Sequence, residues 1–347
     1  MRLALVGASL AACVSPTLDE TPEPGPAVCA RDTLPIASAT QVEVAATPLG
    51  ATMVWTTPAG VMVQRLDMNA RAVGDAVLAW PGTYERATIA TLGDQVIIAA
   101  VSGDVTWMLS APLGLPPYRE LAILGGIVGE SPIVNAGGQH LAASVSYGGM
   151  QVTAFDASWT PLTSVQSVLT GDAHEVAAAS VGTSAIVAWP SQSTCNIARL
   201  FDAAAGESWL EPGRCDAPHI ATAVETTAVE TTALVFEREG GIYLTRQLSP
   251  STAMRIADGR APHIVAVADR YWLSYIGSDG TLVAGDADQV AAVAEQIASG
   301  DGTLARGEDP LAVIGPTEAH ELAVIGGIPR AFITGPTSLT VASLCAN

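Results

Sequence analysis

The chain has 347 residues, of which 15 are basic and 34 acidic, and its net charge at neutral pH is −19. A surface this acidic repels the phosphates of nucleic acids and of anionic lipid headgroups, so the charge excludes nucleic-acid binding.

The first predicted element is a signal peptide over residues 1–12. A single positive charge at Arg2 precedes an apolar stretch that is too short to span a bilayer. This stretch ends in the sequence LAAC at Cys13, which resembles the bacterial lipobox. The resemblance implies cleavage before Cys13, acylation of this cysteine and, because Val14 follows it, an outer-membrane location. The alternative is an ordinary cleaved signal with an unmodified cysteine.

Residues 13–28 are predicted to form a tether behind the lipidated cysteine. They are rich in proline and acidic residues and have no apolar periodicity, a composition typical of extended, unfolded linkers. The folded domain is then expected over residues 29–347.

Seven segments of this domain share one pattern at a period of about 44 residues, a spacing typical of repeat folds. Each segment has three apolar strands separated by short turns, and six are followed by an apolar stretch that suits a fourth strand. The segments begin at Val42, Ala87, Pro132, Glu175, Ile220, Pro262 and Glu321. This repetition predicts an all-β fold, a seven-bladed β-propeller of four-stranded antiparallel blades. The alternative is a β-sandwich or a pair of them, because short, closely spaced strands suit that fold too.

Two features depart from the regular repeat. An insertion over residues 287–309 contains an Ala-rich piece from Asp288 to Ser299, whose cap, apolar spacing and terminal glycine predict one short helix. The seventh unit ends at its third strand, so residues 30–40 at the N-terminus are predicted to supply the fourth strand and to close the ring.

Four cysteines remain in the domain, and an even count in an exported chain predicts two disulfides. Ring closure by the N-terminal strand would place Cys29 beside Cys345. In the fourth unit, Cys195 begins the third strand and Cys215 ends the fourth, so they too would be antiparallel neighbours. The predicted pairs are therefore Cys29–Cys345 and Cys195–Cys215.

Four of the five histidines precede the first strand of consecutive units: His174, His219, His263 and His320. The first strand of each propeller blade lines the central channel, so we expect these side chains to converge at one channel mouth. Converging neutral imidazoles are typical ligands of zinc, copper or iron. Glu175 and Glu321 each follow one of these histidines and are expected to orient the imidazoles.

The sequence contains no nucleophile elbow, zinc-protease helix or phosphate-binding loop. The predicted function is therefore a membrane-anchored binding or scaffolding lipoprotein of the cell envelope, without a cofactor. It would use one propeller face to hold a protein or glycan partner. The alternative is a metal-dependent enzyme with a transition-metal ion at the four histidines.

Overall fold

The computed structural model describes residues 27–347 with short gaps. The gaps are 37–38, 40, 93–94, 113–115, 137, 147–148, 167–174, 192, 202–204, 213, 225–229, 247–251, 300–310, 318, 336 and 346–347. The predicted signal peptide, Cys13, most of the tether and His174 therefore lie outside the described residues. Within the described part of the chain, no helix has the length and apolar character needed to cross a membrane.

Nearly all of the regular structure in the described residues is β-strand, and the one helix among them, α1, spans Ala287–Ser299. The first nine strands are β1 (Ala27–Leu34), β2 (Val42–Thr47), β3 (Gly50–Thr57), β4 (Gly60–Leu66), β5 (Ala72–Pro81), β6 (Arg86–Leu92), β7 (Gln95–Ser102), β8 (Val105–Pro112) and β9 (Arg119–Gly125). The next eight are β10 (Ile127–Ala136), β11 (Gln139–Ser146), β12 (Gly149–Phe155), β13 (Pro161–Gln166), β14 (Ala177–Val181), β15 (Ser184–Pro190), β16 (Thr194–Leu200) and β17 (Ala205–Pro212). The last ten are β18 (Asp216–Val224), β19 (Glu230–Arg238), β20 (Gly241–Thr245), β21 (Met254–Val267), β22 (Arg270–Gly277), β23 (Thr281–Asp286), β24 (Leu311–Pro316), β25 (His320–Ile325), β26 (Ile328–Thr334) and β27 (Leu339–Cys345).

The strands form six antiparallel sheets. Five have four strands each: β2–β5, β6–β9, β10–β13, β14–β17, and a last sheet in the order β25, β26, β27, β1. The sixth has seven strands, β18 to β24 in sequence order. The prediction of seven separate four-stranded sheets thus holds for five sheets, and two of the predicted units share one sheet.

The shared sheet results from the length of β21. Its first part, up to Asp258, pairs with β20, and from Gly259 onward it pairs with β22. Elsewhere a break separates consecutive units, for example Gly126 at φ 94° between β9 and β10. Because nothing interrupts the extended backbone at Asp258 and Gly259, one strand passes from the edge of one predicted unit into the first position of the next.

Contacts between the first strands of the units run in a closed cycle. β2 contacts β6, β6 contacts β10, β10 contacts β14, β14 contacts β18, β18 contacts β21, β21 contacts β25, and β25 contacts β2. The middle strands of the sheets lie between two neighbouring sheets, and this is why they are apolar on both faces. Residues 96–101 of β7 and all of β15 are buried, for example.

Seven buried apolar clusters are found among the described residues, and each joins two facing surfaces of this cycle. Val54 and Val63 of the first sheet pack with Ile98 of the second. Four further clusters continue from sheet to sheet around the chain, and one joins the two halves of the seven-stranded sheet. The last cluster brings Phe332 of the final sheet against Met53 of the first.

The two predicted disulfides are confirmed. Cys29 is bonded to Cys345 with a Cα–Cα distance of 5.8 Å, and this bond joins β1 to β27 in the last sheet. Cys195 is bonded to Cys215 at 5.1 Å. Cys215 lies in the connection between β17 and β18 rather than at the end of the fourth strand, because β17 already ends at Pro212.

The N-terminal strand lies in the last sheet, as ring closure requires, but it occupies different residues from those predicted. β1 spans Ala27–Leu34 instead of residues 30–40. β1 therefore starts two residues before Cys29, and the segment after Leu34 leads to β2 in the first sheet. The register from Val28↔Leu344 to Leu34↔Leu339, with a bulge after Val28, explains this: residues beyond Leu34 have no partner left in β27.

Candidate functional sites

Three of the four predicted site histidines come together. The imidazole centroids of His219 and His263 are 4.1 Å apart, and those of His263 and His320 are 4.4 Å apart. They belong to β18, β21 and β25, which are neighbouring first strands of the cycle. His174, the fourth predicted residue, lies outside the described residues. We refer to His219, His263, His320 and the adjacent Glu321 as the histidine cluster.

The repeated sequence Ala-Pro-His-Ile builds two members of the cluster in the same way. A β-bulge precedes His219 in β18 and His263 in β21. The alanines of the two motifs, Ala217 and Ala261, have φ values of 44° and 49°, a left-handed conformation that is strained for a residue with a side chain. The prolines that follow cannot donate to the strand ladder, which suits a bulge. Bulges of this kind redirect side chains, and here they bring both imidazoles to one place.

The cluster is mostly buried and is connected by polar contacts. His263 and His320 are each only 6% exposed. Ser274 Oγ is 2.9 Å from His320 Nε2, and Glu321 Oε2 is 3.4 Å from His263 Nδ1. Glu321 thus faces the histidine of the neighbouring strand and not His320, because consecutive residues of a strand point to opposite faces.

Glu175 supports the first bulge. Its carboxylate accepts a hydrogen bond from the backbone N–H of Ala217 at 2.7 Å. Glu237 holds the second bulge through the N–H of Ala261. Burial raises the pKa of Glu237, and the nearby charges of Asp216 and Glu175 raise it further, whereas the bond from Ala261 opposes these effects.

A cavity of about 130 Å³ adjoins the cluster. Its lining includes Glu175, His219 and His263, and also Arg86 at the start of β6. A volume of this size suits an ion or a few waters, since drug-sized ligands occupy several hundred Å³.

Sequence reasoning missed Arg86, although it begins the first strand of its unit as the histidines do. The buried Glu43 was missed too; it is the second residue of β2 and accepts a hydrogen bond from Gln41 at 3.0 Å.

Imidazoles and a carboxylate are suitable ligands for transition metals. Within the described ranges, however, no group of three His, Cys, Asp or Glu side chains is already arranged around a point that could hold a metal ion. The observed arrangement is a contiguous row of rings with one carboxylate against the central ring.

A second feature is an apolar surface on the first sheet. Nine large hydrophobic side chains are exposed among the described residues, and five of them belong to this sheet and its turns: Leu49, Met68, Val73, Val77 and Leu78. The last three lie on β5, where they are 41–42% exposed. β5 is the outer edge of its sheet, and eight of its ten residues are exposed.

A groove lies beside this edge. It has a volume of about 320 Å³ and is lined by apolar side chains that include Leu34, Ile36, Trp55 and Met62, together with residues 74–76 of β5. β5 is bulged against β4 here, and the buried Gln64 amide donates to the carbonyls of residues 73 and 74, each at 3.3 Å. The side-chain amide therefore replaces ladder bonds that the bulge removes, and it fixes the wall of the groove.

Comparison with known proteins gives the fold but no family. No protein-family model matches the sequence, and no curated protein matches it either. Among solved structures, the WD40 β-propeller domain of Doa1 is 10% identical, with a TM-score of 0.59 over 93% of this chain and 98% of that one. This chain is a β-propeller. Its four-stranded antiparallel sheets are the blades.

Two further propeller structures agree with this assignment. BBS1N, solved in complex with ARL6DN, has 9% identity and a TM-score of 0.56 over 94% of this chain and 99% of that one. The WD40 domain of Toxoplasma gondii coronin has 11% identity and a TM-score of 0.51 over 93% and 87%. At such low identity these likenesses extend to the fold alone.

Proposed function

We propose that this chain is a membrane-anchored binding or scaffolding protein of the cell envelope, in which a seven-bladed propeller holds a partner protein on its first blade. The observation that carries the proposal is the concentration of exposed apolar side chains on this blade beside a preformed groove. Exposed apolar surface on a soluble domain is typical of an interaction site.

The blade count is part of the proposal. β21 is a strand of two blades, the outer strand of the fifth and the inner strand of the sixth, so the seven-stranded sheet counts as two blades. The cycle of seven first strands and the seven apolar clusters between facing sheets support this count. Blades one to four are then β2–β5, β6–β9, β10–β13 and β14–β17, and the seventh is β25–β27 with β1.

The partner proposed for blade one is a protein that presents an extended apolar segment flanked by basic residues. The free edge of β5 offers backbone groups for a further strand, and the groove accepts an apolar side chain beside it. The charge of −19 favours basic residues next to that segment and predicts that the association weakens as salt increases. One propeller of similar fold, BBS1N, was solved in complex with another protein, ARL6DN.

The anchor and compartment are inferred from the sequence, with support from the disulfides. Cys13 would carry the lipid, and residues 14–26 would link it to β1. At about 3.1 Å per residue this tether reaches roughly 40 Å, enough to keep the domain clear of the bilayer surface. The two disulfides suit an oxidising compartment outside the cytoplasm. Val14 favours the outer membrane.

The proposed docking surface can be tested by site-specific photo-crosslinking in cells that express the full chain. A photoreactive residue at Val77 on β5 is expected to give a discrete partner adduct. A matched control at Val313, which is 61% exposed on the outer strand β24, is expected to give none. Equal adducts at both positions, or no adduct at Val77, would contradict the proposal, as would adducts that consist of glycan.

The crosslinked protein must then bind directly. The purified partner is expected to lose at least about tenfold in affinity for the Leu78→Asp variant, because binding would bury a charged carboxylate where the unmodified chain makes an apolar contact. Val313→Asp introduces the same charge elsewhere and should leave the affinity unchanged. Equal affinities for the two variants would refute docking on blade one.

The second candidate function is a metal-dependent enzyme. The specific observation that favours it is the convergence of His219, His263 and His320 beside a small cavity. This function requires a bound metal ion, and metal content of the purified protein therefore separates it from binding alone.

A further inference from the structure

We propose that reduction of the Cys29–Cys345 disulfide by a dithiol releases β1 from the last sheet and thereby loosens the groove beside β5. The effect on a partner rests on the docking surface proposed above, whereas the release of β1 does not. Three observations carry the inference: the exposure of this disulfide, the weak burial of β1, and the position of the residues that follow β1.

The two disulfides differ in their exposure to solvent. Cys29 is exposed and Cys345 is half-buried, whereas Cys195 and Cys215 are fully buried. Thiol–disulfide exchange requires a thiolate to reach one sulfur of the bond, so access determines which disulfide is cleaved. A dithiol in solution can therefore approach Cys29, while the folded chain protects the other pair.

The exchange has two steps. A thiolate of the dithiol attacks the sulfur of Cys29, which forms a mixed disulfide and releases the sulfur of Cys345 as a thiolate that takes up a proton. The second thiolate of the reductant then displaces the sulfur of Cys29, which is protonated in turn, and the reductant leaves as a cyclic disulfide. Two electrons and two protons thus pass to the protein, and the dithiol is oxidised.

Apart from its backbone hydrogen bonds to β27, β1 has little besides the disulfide to hold it. It is the outer strand of its sheet. Its side chains from Cys29 to Thr33 are exposed or half-buried, and Leu34 at the far end is buried. A bulge between Val28 and Ala30 leaves Cys29 without a partner in the register of β1 and β27, so the disulfide replaces ladder pairing there. Strands with so few buried side chains open locally at low cost.

The segment that follows β1 forms part of the groove. Leu34, Pro35 and Ile36 line it, together with Trp55 and residues 74–76 of β5. The N–H of Ile36 donates to the carbonyl of Leu34 at 2.8 Å, a tight turn that joins this wall directly to the last residue of β1. Leu34 and Ile36 also belong to the apolar cluster between the last and the first sheet. Fraying that starts at the released end of β1 and reaches Leu34 therefore displaces the wall of the groove.

The first test is the order in which the disulfides are reduced in the folded full chain, purified in detergent. The chain is treated with graded dithiothreitol, alkylated with iodoacetamide and mapped by peptide mass spectrometry. Cys29 and Cys345 should be labelled at least about tenfold faster than Cys195 and Cys215, because only the first pair is accessible. Equal rates for the two pairs, or no labelling of Cys29 and Cys345 before the chain unfolds, would overturn the inference.

The second test is backbone hydrogen exchange in three forms: the oxidised chain, the selectively reduced chain, and the double variant Cys29→Ser with Cys345→Ser. Amides of residues 30–36 should exchange at least about tenfold faster in both forms that lack the bond, because local opening controls exchange. Strands β14 to β17 are the internal control and should not change. Unchanged exchange over residues 30–36 would refute the release of β1. An equal increase throughout the domain would refute it as well, because it would indicate global unfolding.

The effect on docking is measured with the photo-crosslink at Val77. The yield of adduct should fall at least about threefold in the double cysteine variant, because a groove whose wall is no longer fixed binds less well. An undiminished adduct together with faster exchange would overturn the regulation of the groove. If the unmodified chain gives no adduct at Val77, the docking proposal fails and the regulation fails with it, whereas the release of β1 is still decided by the exchange measurement.

Discussion

At the residue scale, the two Ala-Pro-His motifs show how an unusual backbone conformation positions two histidines of the candidate site. Ala217 and Ala261 adopt positive φ values at the same point of two neighbouring strands. Each conformation costs about 1–2 kcal/mol for an L-residue. A glutamate carboxylate accepts the N–H of each of these alanines, which offsets part of that cost.

Gly60, at the start of β4, gives a prediction on the scale of one residue. Its φ is 142°, and a Cβ there would lie 2.0 Å from the carbonyl oxygen of Trp80. Gly60→Ala is therefore expected to lower the free energy of unfolding by about 3 kcal/mol or more, because strain adds to a clash with backbone. Denaturant unfolding measures the change.

Gly103 provides the control for that substitution. Its φ is also positive, at 59°, but a Cβ there would meet nothing within 4 Å. Gly103→Ala should cost only about 1 kcal/mol, the strain of a left-handed alanine. Equal losses in the two variants would show that the close approach of β5 to Gly60 does not determine the cost.

At the scale of elements, the strands were largely predictable and their connections were not. Apolar runs between turn residues predicted the strands, since middle strands are buried on both faces. The continuity of β21 was not predictable, because Asp258 and Gly259 suggest a turn and only the positions of both neighbouring sheets keep them extended. The convergence of three histidines followed from the repeat. The position of Arg86 in the lining of the same cavity did not follow from the repeat, because Arg86 belongs to a unit that is distant in sequence.

Helix α1 gives a prediction at this scale. The Asp286 carboxylate accepts hydrogen bonds from the N–H groups of Asp288 at 2.8 Å and Gln289 at 3.3 Å, and thus caps the helix. Asp286→Ala should destabilise the protein by about 1 kcal/mol, the usual cost of losing an N-cap. Asp286→Asn retains a capping oxygen and should cost less. Chemical denaturation compares the two variants, and equal losses would contradict the capping role.

At the scale of the whole molecule, closure of the proposed ring depends on the N-terminal strand. β1 completes the last blade and is bonded to β27 by Cys29–Cys345, which closes a loop of 316 residues. Constraining so long a loop contributes roughly 6 kcal/mol in the chain-entropy model. If residues 13–26 form the proposed tether, a pull from a membrane anchor would act on a blade that this disulfide secures.

Cys13 gives the prediction for the anchor. Cys13→Ser should move the protein from the membrane fraction to the soluble fraction, because one acylated residue is the proposed attachment. Mass spectrometry of the N-terminal peptide should find acyl chains on the unmodified protein and none on the variant. Membrane retention of the variant, together with no acyl mass on the unmodified chain, would refute lipidation at Cys13.

Both proposed sites depend on one claim, that seven blades close into a single ring. Diffraction from crystals of the full chain measures this most directly. The account predicts seven blades around one channel, with β21 shared by the fifth and sixth blades. Ala27–Leu34 would pair with β27, and His219, His263 and His320 would be in contact at one mouth. An open arc in which β2 and β25 do not touch, or a single curved sheet from β18 to β24 that leaves these histidines apart, would contradict it.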